Sequence, residues 1–137
     1  MTRLELKQIR QCPRCRRGVA ELETPDGARL RVVLEGVRVR ALAGEADDLR
    51  WVDEVLLDSL RALAAPPVAV VLDAVAEGVR GLVTLGGRAQ GEVIACAGPE
   101  AIGLAIRGRL PLYATEEALA RGAGHDSDTH DPGRTVH

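Results

Sequence analysis

Extended, apolar segments fall into two groups of three along this chain, and each group runs into helix-forming sequence; that order leaves few folds open. The first group is Thr2 to Ile9, Val19 to Thr24 and Ala28 to Leu34, with Pro25-Asp26-Gly27 as the turn between the last two. In the first of these, Leu4 and Leu6 fall on one side and Arg3, Glu5 and Lys7 on the other, with Ile9 near the apolar side. The second group is Val68 to Val75, Val79 to Leu85 and Ala89 to Cys96, punctuated by Glu77-Gly78 and Gly86-Gly87. Three strands connected by short turns form a meander. Two meanders, each followed by helices, predict an α+β domain of duplicated β3α-type units in which helices pack on a mostly antiparallel sheet.

Between the groups, Gly36 to Ala43 reads as a short helix closed by Gly44. A longer helix begins near Asp47 or Asp48 and carries Leu49, Val52, Leu56, Leu60 and Leu63 at helical spacing, until Pro66-Pro67 stops it.

The last stretch, Gly91 to Gly122, predicts a strand (Glu92 to Cys96), a helix (Pro99 to Arg107), a short strand (Leu110 to Ala114) and a final helix (Thr115 to Arg121). Pro99 suits a first helical turn and Glu100 complements the positive end of the helix dipole. Arg107 complements the other end, where Gly108 is expected to take the positive φ that ends the helix. Thr115 offers its hydroxyl as N-cap to a helix opened by Glu116 and Glu117 and closed by Arg121 and Gly122.

The order of residues within EAIGLAIRGRLPLYATEEAL resembles the C-terminal signature of the bifunctional nuclease family, small α+β domains named for DNase and RNase activity. Glu100 to Arg107, Pro111 to Tyr113 and Glu116 to Leu119 carry the match, and the order of elements extends it over about residues 3–122. The resemblance implies a divalent-metal nuclease. The family has a His-Asp pair at the start of its long helix, where this chain has Asp53-Glu54. Its Asp-Ala-Arg-Pro-Ser-Asp run corresponds to Ala95-Cys96-Ala97-Gly98-Pro99-Glu100, which keeps the final acid and replaces the first Asp and the Arg by alanine. Carried over residue by residue, the catalytic candidates are Asp53, Glu54 and Glu100, which would hold Mg²⁺ or Mn²⁺ through oxygen ligands, with Arg107 or Arg109 clamping a phosphate. The alternative is that Asp53, Glu54 and Glu100 are dipole partners of their helices. The chain is then a catalytically degenerate, oligomeric binding or scaffold module.

Cys12-Pro13-Arg14-Cys15 is the sharpest local motif, because a C-x2-C turn presents two thiolates to one tetrahedral ion. It supplies half of a Zn²⁺ site. Cys96, a histidine of the tail or the same loop of a second subunit would have to complete it; otherwise the pair is two reduced thiols in a basic loop.

Composition narrows the classes further. With 137 residues the chain matches one domain, taken as 1–122, followed by a polar, histidine-bearing tail over 123–137 that is expected to be disordered. Phe is absent, and Trp51 and Tyr113 are the only aromatics, which disfavours recognition of single strands by base stacking. Residues 1–40 hold ten Arg/Lys against five Asp/Glu, a net +5, whereas residues 41–137 hold eight against fifteen, a net −7. A basic N-terminal region suits a phosphate backbone. No run is apolar enough to span a membrane and Met1 to Arg10 lacks a signal-peptide core, so a cytoplasmic location is expected. Walker A, dinucleotide-binding, nucleophile-elbow and zincin motifs are all missing.

Overall fold

The computed structural model describes residues 1–11, 17–35 and 52–125. The elements are β1 (Thr2–Gln11), β2 (Arg17–Glu23), β3 (Arg29–Glu35), α1 (Val52–Ala62), β4 (Pro67–Val75), β5 (Gly78–Leu85), β6 (Val93–Ala97), α2 (Gly98–Gly108), β7 (Leu112–Ala114) and α3 (Glu116–His125). One seven-stranded sheet has the order β3-β2-β1-β7-β4-β5-β6. Each meander therefore grows outward from β7. Pairings are antiparallel except between β4 and β7, so β1 and β4 flank β7 in opposite directions. A two-fold axis normal to the sheet at β7 would exchange the two meanders, as the duplicated β3α reading expects.

Cross-strand registers divide the sheet into two faces. Thr24, Leu4, Leu112, Val70, Val83 and Ile94 lie on one face, and the helices pack there. The core on this face joins Leu22, Leu30, Val32 and Leu34 of the first meander to Leu72 and Leu85 of the second, and α2 adds Ala101, Ile102, Leu104 and Ala105. Each such Leu or Ile contributes about 1.5–3 kcal/mol by leaving water. Because α2 touches both β3 and β5, the curled sheet wraps around it.

Leu4, Leu6 and Ile9 cannot share a face of a regular strand, since the side-chain period is two. A bulge between Leu6 and Gln8 resolves this. The extra residue, Lys7, shifts the phase, so that Ile9 opposes buried Ala20 while Gln8 opposes Glu21 on the outer face.

Other boundaries differ from expectation for steric reasons. The stretch from Ala89 to Cys96 is not all strand: Gly87–Ala89 forms a 3₁₀ turn, Gly91 takes φ +90°, and β6 begins at Val93. Gly108 stays helical and Arg109 takes the left-handed position instead, at φ 51°. A Cβ on Gly108 would come within 3.1 Å of Leu57, so this glycine serves helix contact. The Leu110 amide donates to the Ala105 carbonyl and the Arg109 amide to that of Ile106, which closes α2. Ala64 closes the end of α1 in the same way at φ 56°, with Ala65 bonded to Leu60 and Ala64 to Arg61. Gly122 likewise does not end α3, which runs on to His125; its hydrogen side faces the Arg29 carbonyl and Leu30, where a Cβ would be 3.2 and 3.0 Å away.

In α1 the buried stripe is rotated from the one expected. Leu57 is buried, Leu56 and Leu60 are partly buried, and Leu63 lies beyond the helix and exposed. The proposed helix over 36–43, the cap at Asp47 or Asp48, and the tail from 126 onward lie outside the described residues.

Candidate functional site

Asp53 and Glu54 open α1, and Arg107 closes α2. The two helices meet where the positive end of one dipole faces the negative end of the other, so carboxylates and guanidinium each sit at the end that favours them. Arg107 donates from Nη1 to Glu54 Oε1 at 2.6 Å, and its Nε lies 3.9 Å from Asp53 Oδ2. Asp53 is 6% exposed, and the Arg107 side chain 17%. One guanidinium thus serves both carboxylates that the family resemblance would assign to a metal. Burial makes this a structural tie between helices 53 residues apart in sequence.

Glu100 stands elsewhere. It is exposed in the first turn of α2, seven residues before Arg107, about 10 Å along the helix axis. The structure brings Asp53 and Glu54 together and leaves Glu100 at the opposite end of α2. Among the described residues no three His, Cys, Asp or Glu side chains gather as a metal-binding group. Cys12 and Cys15 lie outside the described residues. Cys96 is on the helix-covered face of β6, its sulfur close under Gly81.

An open cleft of about 320 Å³ adjoins the tie, lined by Glu54, Leu57, Asp58, Arg61 and Arg107. Glu54, Asp58 and Arg61 follow one another at i, i+4 and i+7. That spacing puts them on one face of α1, a signal present in the sequence but not used to pick Asp58 or Arg61. Arg109, the other candidate phosphate clamp, is exposed.

Two further polar clusters are built into the sheet. Asp73 on β4 accepts from Arg80 Nη2 at 3.0 Å and Nε at 3.2 Å, and from Thr115 Oγ1 at 3.1 Å. Thr115 also accepts from the Ala118 amide, as expected of an N-cap. Hydrogen bonding by Arg80 first, and by Thr115 second, holds the Asp73 carboxyl below its ordinary pKa. Arg121, which pairs with Glu117 at 2.9 Å, donates to the Val75 carbonyl and ties the body of α3 to the same strand.

In the first meander Glu21 lies between Arg10 and Arg31, 3.2 and 3.4 Å from their Nε atoms, and accepts from Gln8. Arg29 pairs with Glu23, and Lys7 with Glu5. The described part of residues 1–40 contains six Arg/Lys and five Asp/Glu. The basic excess comes from Arg14, Arg16, Arg38 and Arg40, outside the described residues.

No family model and no curated protein sequence matches this chain. No described helix is long and apolar enough to cross a membrane.

Proposed function

We propose that this chain is a non-catalytic binding and assembly module built on a plan like that of the bifunctional nucleases. One observation carries the reading: Arg107 engages both Asp53 and Glu54, where a hydrolytic metal would need them. Displacing a guanidinium from two carboxylates, one of them buried, opposes cation entry by the same electrostatics that a metal would exploit. The Cys12 and Cys15 thiolates fit this reading as half of a Zn²⁺ site completed across subunits, and the basic N-terminal region as a surface for nucleic acid in the cytoplasm.

The test is incubation of the pure protein with labelled single- and double-stranded DNA and RNA, with Mg²⁺ or Mn²⁺, beside Asp53→Asn/Glu54→Gln. No cleavage above the double variant is expected. Cleavage by wild type that the double variant lacks would overturn the proposal. Metal analysis and light scattering on wild type and Cys12→Ser test the bridge; a zinc-free wild type would remove it.

A second reading, a divalent-metal phosphodiesterase, is favoured by the cleft beside Arg107. There Glu54 and Asp58 would supply oxygen ligands, and Arg61 would hold a phosphate. The same cleavage assay decides between the two, with Asp58→Asn and Arg61→Ala as added variants.

A further inference from the structure

The two edges of the sheet are managed differently. β3 presents Arg29 and Arg31 beside Val33, and its apolar residues Leu30, Val32 and Leu34 are buried. Charged side chains on an edge oppose pairing with another strand. Among the described residues β6 has no such defence. Its sequence, Val-Ile-Ala-Cys-Ala, contains no charge, proline or glycine, and Val93 and Ile94 are 52% and 37% exposed.

The outer face continues this apolar character inward from β6. Ala95 lies beside Leu82, Leu82 beside Val71, and Val71 beside Tyr113, while Val93 lies beside Thr84 and Thr84 beside Ala69. The charges on this face of β4 and β5 are Asp73 and Arg80, which neutralise one another.

We infer that β6 is the seam of a two-fold dimer, in which the same strand of a second copy adds antiparallel to it and continues the sheet. This rests on the assembly reading above and adds a surface separate from the Cys12 and Cys15 bridge. Pairing about Ala95 sets Val93 opposite Ala97 and Ile94 opposite Cys96, a larger side chain against a smaller one each time, with alanine against alanine on the axis. Charge selects the occupant. A basic or acidic strand would find no counter-charge on β6, whereas a second β6 brings none to repel. Because β3 is charged, a copy cannot add head-to-tail through β3 and β6 without desolvating Arg29 and Arg31, so the contact closes as a dimer instead of propagating. Two five-residue edges make a contact smaller than the ~1,200 Å² of a standard interface, the size class of weak, transient association.

The test uses the full chain with Cys12→Ser, Cys15→Ser and Cys96→Ala, adding Ala95→Cys or, as a comparison, Val33→Cys on the β3 edge. With oxidised glutathione as two-electron acceptor, Ala95→Cys is expected to form a disulfide-linked dimer much faster than Val33→Cys. Sedimentation of Val93→Lys, folded by circular dichroism, is expected to show dimerisation weakened about tenfold or more, because each lysine is set against Ala97 of the second copy with no counter-charge beside it. If Ala95→Cys forms no dimer faster than Val33→Cys, and a wild-type oligomer ignores Val93→Lys, the β6 seam is wrong while the assembly reading stands. A wild type that stays monomeric throughout the micromolar range overturns both.

Discussion

The two meanders share topology and a helix-covered inner face, yet their outer faces are opposites. Across β1, β2 and β3 the outer face is a lattice of ion pairs centred on Glu21, with Arg10, Arg31 and Gln8 around it. Across β4, β5 and β6 the same face carries Ala69, Val71, Leu82, Val93 and Ala95. An antiparallel sheet with one solvated face ordinarily alternates apolar and polar residues, as β2 does; strands apolar on both faces are ordinarily covered on both. Topology sets where strands lie, while the outer half of each alternation sets the chemistry that each meander carries on its second face.

The largest effect that would sharpen this contrast lies on the inner face of the apolar meander. A Cβ built on Gly81 falls 2.0 Å from that of Ala101, so α2 rests directly on the β5 backbone. Gly81→Val is expected to cost about 3 kcal/mol in urea unfolding, by overpacking. In β2 of the other meander Ala20 already carries a buried methyl group, and Ala20→Gly is expected to cost about 1 kcal/mol. Equal costs would mean that the two helix-covered faces are packed alike.

Next comes the tie between helices. Arg107→Ala leaves Asp53 buried without its guanidinium, and a loss of about 2 kcal/mol is expected, little changed by added salt because the group is shielded from solvent. Wild-type stability in the variant would show the tie to be idle, and would reopen the two carboxylates to a metal role.

A smaller, salt-dependent loss is expected on the charged outer face. Glu21→Gln should cost about 0.5–1 kcal/mol at low ionic strength, shrinking as salt rises, measured by thermal unfolding across a salt series. A loss indifferent to salt would contradict the description of this face as a solvated ion-pair lattice.

The smallest effect is a pH dependence on the other half. Arg80 and Thr115 lower the Asp73 pKa in the folded state below its ordinary 3.8. The stabilisation is therefore present above 3.8 and is lost as pH falls through the lower, folded value. Asp73→Asn should be less stable than wild type at neutral pH, and the gap should close in acid. A gap that widened in acid would reverse the assigned sign.

Much of the architecture was legible because hydrophobic period and turn chemistry are local properties. Pro25-Asp26-Gly27, the Thr115 cap and the Pro99 helix start each act within a few residues, and each stands where the sequence puts it. Beside the rotated stripe of α1 and the later start of β6, the misreadings concern glycines. Gly108 and Gly122 resemble punctuation, but each leaves room for a neighbour from a distant segment, and no local pattern distinguishes a glycine that turns from one that yields space. In the candidate site, the closeness of Asp53 and Glu54 follows from adjacency. Their partner Arg107 does not, because its pairing depends on how two helices cross over the sheet.

By itself the sequence determined two three-stranded meanders, each followed by a helix, along with the helix caps and the charge contrast between the two ends of the chain, since alternation, capping and composition need no knowledge of distant residues. Tertiary structure alone decided that three-residue β7 would sit between β1 and β4, that Lys7 would bulge to turn Ile9 inward, and that Arg107 would meet Asp53 and Glu54. These outcomes come from segments competing for the same partners in space. Burial of one shared core selects among them, and that selection is made by the whole chain at once.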